Sequence, residues 1–414
     1  MFPFPYTKKV FPGGLRVIFH QKASPLVAFN LWAGVGVKDE SLQTSGLSHF
    51  YEHMVFKGTT HFPGALLSRQ IQAIGGTMNA GTSLDTTDFY IQVPREYWKE
   101  GLKLEAELLL RPLFEPPEIE REKMVILQEI HLDDDDPEEK LVHLLYENVF
   151  AGTPYGMSIL GTEESVDRFH RDHLLQHQRG FFHPGNLTLS VCGDVKEEEI
   201  FSETERIFFP QDLPAVSVSS PFPSLRLPER KYIEAKMDIH RFYGAIGFFC
   251  PGVKEDDFYP LRLLSVVMGD GIGSRLNVRL REQDKLVDAI HSTYSYYKKA
   301  GLFSINFTYT EGEKERVEDT IREECLRFLT HPPREEELVR ARHLLLSGFY
   351  HSIETTLGTA ELLGRFDTID TIDTIWRYLL SLERLTIDDL ISTFHAYINF
   401  DHATFISIQP EDRT

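Results

Sequence analysis

The sequence predicts an α+β fold of two homologous halves. Each half is an α/β sandwich, an antiparallel-rich sheet packed with helices. Three observations predict it. The chain has 414 residues, too many for one typical domain and comfortable for two of about 200. One stretch near the middle, FFPQDLPAVSVSSPFPSLRLPERKY (208–232), carries five prolines and a serine cluster, and no helical or strand period runs through it. The parts on either side then match in type, in one order and at one offset. The expected division is a first half at 1–212, a linker at 213–230 and a second half at 231–414.

The repeat is legible in three places. VAFNLWAGVGVKDE ends an apolar run at Glu40, and FYGAIGFFCPGVKEDD ends a similar run at Asp257. DFYIQVPREYWKEGLKLEAELL (88–109) and GLFSINFTYTEGEKERVEDTIREECL (301–326) each read as an alternating strand, a turn and a long amphipathic helix. FEPPEIEREKMVILQEI then matches LTHPPREEELVRARHLL. A constant offset of this kind marks an internal repeat. Within the first half, TMNAGTSLDTTDFYIQVP alternates as a pair of antiparallel strands does. Such strands with helices grouped on one face make an α+β sandwich.

Composition narrows the function classes. Hydrophobic residues make up 42 %, with 30 Phe among them, so each half can bury a core. The net charge of −20 repels nucleic-acid phosphates and anionic lipid heads, which argues against both as partners. It suits a basic substrate or partner, although solubility alone explains much of it. Three cysteines, Cys192, Cys250 and Cys325, lie far apart and form no CxxC, so neither a disulfide framework nor a zinc ribbon is expected. The N-terminus lacks an apolar run before a small-residue cleavage site, and no stretch of 18 apolar residues occurs. A cytoplasmic protein without a membrane span is expected.

The chemistry concentrates at HFYEH, residues 49–53. SLQTSGLSHFYEHMVFKGTTHFP offers Ser41, Thr44 and Ser45 as helix caps, with Gly58 and Pro63 as stops. His49 and His53, at i and i+4, project from one helical face and can share one Zn²⁺. Glu52 stands beside them without being a ligand. This inverts HExxH and keeps its division of labour. A catalytic zinc needs a third protein ligand, and IEREKMVILQEIHLDDDDPEE (119–139) offers carboxylates. Glu122 and Glu129, seven apart, share one side of a helix. Glu129 follows the apolar run MVIL and is expected where the helix face turns inward, while Glu122 also reads as a surface carboxylate. In a chain with 17 histidines, HxxEH by itself is more often an ordinary helical turn than a metal site.

The wider pattern resembles the inverted-motif zinc peptidases of the pitrilysin and mitochondrial-processing-peptidase family. GLSHFYEHMVFKGT, IGGTMNAGTSLDTTDFY, EIEREKMVILQEI, GTPYGMSILGTEESV and GDGIGSRLNVRLRE stand in family order. The resemblance implies His49, His53 and Glu129 as zinc ligands and Glu52 as the general base that activates water. It implies that Glu122 helps orient the site. It implies that Asn79, Ala80 and Gly81 lie on the exposed strand that receives substrate peptides. Asn79 reads equally as a hairpin residue.

The second half departs from the family. Members that complete the cleft from this half carry an Arg and, seven residues on, a Tyr. Here Arg281 is followed at that spacing by Asp288, and LSVVM (264–268) replaces HxxEH. An ionised carboxylate cannot donate a hydrogen bond as a phenol does. The resemblance therefore implies the zinc-bearing subunit of a heterodimer, with a similar chain supplying the Arg/Tyr pair, while a homodimer stays open. The main expectation is a zinc endopeptidase acting on extended peptides. The alternative is a catalytically silent structural or substrate-presenting subunit. A third reading, a phosphate loop in VMGDGIGSRLNV, lacks the lysine of GxxxxGK[ST]. DDDD (133–136) reads as a solvated helix end.

Overall fold

The computed structural model describes residues 5–208, 222–223 and 227–411. The linker expected at 213–230 falls largely outside them. One sheet comprises β1 (Thr7–Val10), β2 (Arg16–Gln21), β3 (Leu26–Ala33), β4 (Thr77–Thr82), β5 (Thr87–Pro94) and β6 (Leu187–Gly193), in the order β1-β2-β6-β3-β5-β4. The other comprises β7 (Lys231–Met237), β8 (Phe242–Cys250), β9 (Val287–Tyr296), β10 (Gly301–Tyr309) and β11 (Thr404–Pro410), in the order β7-β11-β8-β10-β9. With β1 set aside, the two orders are the same. Each sheet has one parallel pair, β2 with β6 and β7 with β11, and is otherwise antiparallel. The repeat read from the sequence is thus a repeat of topology.

The helices, in chain order, are α1 (Leu47–Val55), α2 (Leu66–Ala73), α3 (Trp98–Leu110), α4 (Pro116–Asp135), α5 (Pro137–Val149), α6 (Glu163–Asp167), α7 (Arg171–Phe181), α8 (Glu197–Phe208), α9 (Phe258–Gly269), α10 (Lys314–Thr330), α11 (Glu335–Ser352), α12 (Thr356–Ile369), α13 (Asp373–Arg384) and α14 (Ile387–Tyr397). The described residues group into two compact units. Unit 1 draws on Met1–Ile130, Met157–Phe222 and Tyr350–Trp376, and unit 2 on His131–Gly156, Pro223–Phe349 and Arg377–Thr414. The units depart from the 1–212 and 231–414 boundaries at two helices. The early helix α5 packs on β8 and β11, and the late helix α12 packs on β3 and β6.

This arrangement explains the strand patterns of unit 1. β3 and β6 are covered on both faces, so LVAFNLWA and LTLSVCG read as near-continuous apolar runs. β5 alternates instead. Phe89, Ile91 and Val93 enter the main core, while Asp88, Tyr90 and Gln92 are only partly buried on the other face. Gln92 Nε2 donates to Thr356 Oγ1 of α12 at 2.9 Å. α12 lies close because residue 364 is glycine: a Cβ there would fall 2.3 Å from Trp32 Cδ1. Asp367, buried on α12, pairs with Arg16 at 2.8 Å and Lys8 at 2.5 Å and ties the helix to β1 and β2. Among the described residues β4 closes the sheet as an edge, with β5 its only neighbour.

In unit 2, DDDD ends one helix and begins the next. α4 stops at Asp135, and Asp136 caps α5 by accepting from the Glu138 N–H at 2.8 Å and the Glu139 N–H at 3.2 Å. Among the described residues, all three cysteines are free and buried, and no helix is long and apolar enough to cross a membrane.

Candidate metal centre

α1 is amphipathic in the simplest sense. Leu47, Phe50, Tyr51, Met54 and Val55, at i, i+3, i+4, i+7 and i+8, are buried in the core of unit 1. Tyr51 stacks on Phe182 with ring centroids 4.2 Å apart. The complementary positions, His49, Glu52 and His53, are left on the opposite face. The imidazoles of His49 and His53 lie 4.5 Å apart between centroids.

The start of α1 corrects the expected caps. Gly46 is the N-cap residue, at φ 85°, and none of Ser41, Thr44 or Ser45 caps the helix. The first-turn amides are taken by Glu40 from the preceding loop. Its carboxylate accepts from the Gly46 N–H at 2.8 Å and the Ser48 N–H at 2.7 Å. One carboxylate satisfies two orphan donors where a hydroxyl takes one. Burial pushes the Glu40 carboxyl up to about 7, against the pull of those amides.

α4 supplies the carboxylates. Glu122 and Glu129 share a side of it, as the spacing predicts, but their burial is the reverse of the expectation. Glu122 is 3 % exposed, and the side chain of Glu129 is 39 % exposed. MVIL explains this: Ile126 alone is fully buried, while Met124 and Val125 face outward. The surface reading of Glu122 therefore fails. Its Oε1 lies 2.8 Å from His53 Nδ1, and its Oε2 lies 2.5 Å from Lys57 Nζ. That bond leaves His53 Nε2 directed toward Glu129 Oε2, 3.7 Å away, and His49 Nε2 lies 3.9 Å from Glu129 Oε1. One ligand atom from each of His49, His53 and Glu129 falls within 4.8 Å of the others. Zn–ligand bonds of about 2.0–2.2 Å require donors about 3.3–3.6 Å apart around a tetrahedral ion, so a small inward movement completes the cage. A His with one nitrogen on a carboxylate and the other aimed at a common point has the outer-shell support of a metal ligand.

Electrostatics separates the roles. Burial holds His49 down to about 3, with His53 adding to the effect, so its ring is neutral as a ligand must be. Burial also disfavours the charged form of His53, but the bond to Glu122 and the charges of Glu122, Glu52 and Glu129 outweigh it and raise its pKa. Glu122 is correspondingly lowered: burial opposes ionisation, and His53 and Lys57 overcome it. Glu52 is raised, first by burial and further by Glu129, against the hydrogen bond from Thr82. Thr82 Oγ1 donates that bond to Glu52 Oε2 at 2.6 Å, tying the end of the edge strand to the acid.

Asn79, Ala80 and Gly81 all lie on β4. Asn79 is exposed, and Ala80 packs on the core. In unit 2, α9 occupies the place of α1 in the strand and helix order and is buried almost throughout, with LSVVM in its second half. Arg281 lies in a π-helical stretch, Asn277–Gln283, and Asp288 lies on β9, and both are exposed.

Two family models match the chain. The one described as Insulinase (Peptidase family M16) covers residues 16–163, and the one described as Peptidase M16 inactive domain covers 168–345. An uncharacterized zinc protease of Rickettsia felis is 31 % identical over 340 residues, which span 82 % of this chain and 81 % of that protein. The chain belongs to peptidase family M16. A probable mitochondrial-processing peptidase subunit beta of Arabidopsis thaliana is 27 % identical over 371 residues, 86 % of this chain and 68 % of that protein. Among solved structures, a protease from Helicobacter pylori superposes with a TM-score of 0.91 at 20 % identity, covering 98 % of this chain and all of that one. The M16 fold in two halves is therefore the fold of this protein. Membership in the family supports a peptidase, and the naming of relatives as zinc proteases implies zinc.

Sequence reasoning missed Lys57, Thr82 and Glu40. Lys57 could have been found as the cation four residues past His53, just beyond the end of α1. Thr82 directly follows the Asn79–Gly81 stretch. Glu40 left no signal, because its partners are backbone amides.

Proposed function

We propose that this chain is a zinc endopeptidase that hydrolyses extended peptides and is the catalytic subunit of a heterodimer. His49, His53 and Glu129 would hold the metal, and the observation that carries the reading is the convergence of their donor atoms with Glu52 beside them but outside the set. Bound there, zinc would polarise the scissile carbonyl and make water more acidic. Glu52 takes the proton of the attacking water and returns it to the leaving amine. Its raised proton affinity suits that exchange. Glu122 positions His53. The free edge of β4 at Asn79, Ala80 and Gly81 pairs with the peptide backbone, whatever its sequence. Three buried thiols fit a reducing compartment such as the cytoplasm.

The Arg/Tyr pair would come from a homologous chain, since Arg281 is followed by Asp288 here. A silent structural subunit is the second reading, favoured by the second half matching a domain described as inactive. The deciding experiment pairs metal analysis with peptide hydrolysis for wild type and Glu52→Gln. The proposal expects stoichiometric zinc in both and hydrolysis in wild type alone. Zinc-loaded wild type that cleaves nothing, with or without a partner chain, would establish the silent reading.

A further inference from the structure

β4 ends its sheet, so a peptide added beside it presents side chains alternately to the sheet's two faces. On one face are Met78, Ala80 and Thr82, with Thr82 reaching Glu52. On the other are Asn79 and Gly81. The register places Asn79 opposite Tyr90 and Gly81 opposite Asp88 on β5. Gly81 has no side chain to cover its partner. A Cβ at that position would stand 3.4 Å from Asp88 Oδ1. A peptide residue opposite Gly81 therefore looks across a bare backbone at a carboxylate.

Distance selects what can use that gap. The peptide strand and β5 are two inter-strand spacings apart, about 9–10 Å. Short side chains stop well before Asp88. The long cationic stems of lysine and arginine reach most of the way, and the Asp88 side chain spans the remainder. The surroundings favour a cation. Glu361 of α12 acts on Asp88 as a second negative charge, partly opposed by Arg365 one turn further along. Asn30 is fully buried beside Asp88, and its side-chain amide acts on that carboxyl against the effect of burial. Burial pushes Asp88 up to about 7, with Glu361 and Glu52 adding to the effect and Asn30 and Arg365 opposing it.

We infer that Asp88, backed by Glu361 and Asn30, forms a substrate subsite for a lysine or arginine side chain of a peptide paired along β4. This rests on the peptidase reading above and names the substrate class for it.

The test uses the full-length zinc-loaded chain and synthetic peptides that differ only by Lys or Gln at each position in turn. At one fixed position relative to the cleaved bond, Lys should raise kcat/KM on the order of tenfold. In Asp88→Asn the Lys-to-Gln ratio should fall toward one, and Glu361→Gln should lower it partway. A parallel arm measures binding of the same peptides to Glu52→Gln protein by fluorescence anisotropy. Hydrolysis without a Lys preference, or with one that Asp88→Asn leaves intact, would overturn this subsite and leave the peptidase reading standing. Lys-selective binding that depends on Asp88, without hydrolysis in wild type, would confirm the subsite and sink the peptidase reading alone.

Discussion

His53 Nδ1 and Glu122 Oε1 lie 2.8 Å apart, joining α1 to α4 across 69 positions of the chain. Lys57 holds the second carboxylate oxygen, so Glu122 is fixed at both ends. This orients His53 Nε2 toward Glu129 whether or not an ion is present. Replacing Glu122 by Gln preserves shape and one hydrogen bond but removes the charge that supports the ring. Zinc affinity should fall by roughly 10–100-fold, since outer-shell partners typically carry that much. A competition titration against a chelator of known affinity reads it directly. Unchanged affinity would reduce Glu122 to a packing role.

Glu40 should matter to the helix before it matters to any reaction. It is 6 % exposed, and it holds the first-turn amides of the helix that carries His49. Glu40→Ala leaves both amides without that acceptor, which should cost about 1–3 kcal/mol of stability. Denaturant unfolding measures the loss. Hydrogen exchange at the Gly46 and Ser48 amides should accelerate more than exchange in β3. A uniform change across unit 1 would argue against a local cap.

Some of this architecture was legible in the sequence and some was not, for physical reasons. α1 announced itself because its buried residues fall at helical spacing and leave His49, Glu52 and His53 together. The repeat was visible because equivalent strands must satisfy equivalent burial. The crossing of α5 and α12 was not visible. Leu141, Leu145 and Val149 show that α5 buries one face, but an apolar stripe does not say which sheet receives it. The inward placement expected for Glu129 failed because a four-residue apolar run wraps around a helix and cannot all face inward. Glu40 at the start of α1 and the placement of Asp88 opposite Gly81 were invisible because they come from backbone amides and strand register, which have no residue code.

Acid stability should carry the signature of His177. Its ring is buried against Tyr51, Phe181 and Phe182, and burial lowers its pKa from 6.5 to about 3. The unfolded chain binds a proton here below about pH 6.5, and the folded chain does not until about pH 3. The unfolded state therefore holds more protons in that window, and stability falls as pH falls through it. His177→Phe should flatten the slope of unfolding free energy by up to about 1.4 kcal/mol per pH unit between those limits. Denaturant midpoints collected from pH 7 to pH 4 check it. A slope identical to wild type would mean that His177 charges in the folded state.

The last prediction concerns Asp288. It is exposed on β9, seven residues beyond Arg281, at the position where the family resemblance implies a tyrosine in a chain that completes the cleft. Bound zinc would take part of the charge on the oxyanion that forms when water adds to the peptide carbonyl, and hydrogen-bond donors take the rest. Preorganised donors aimed at that oxygen contribute roughly 3–4 kcal/mol each. An ionised carboxylate donates nothing and repels the developing charge. The isolated chain should therefore cleave peptides slowly even with a full complement of zinc. Mixing with a homologous chain that carries the Arg/Tyr pair should raise kcat/KM. If the chain self-associates, Asp288→Tyr should also raise it by restoring a donor. The comparison needs three samples at equal zinc content: the chain alone, the variant and the mixture. Full activity from the wild-type chain by itself, unmoved by either change, would reject the heterodimer and leave a self-sufficient homodimer.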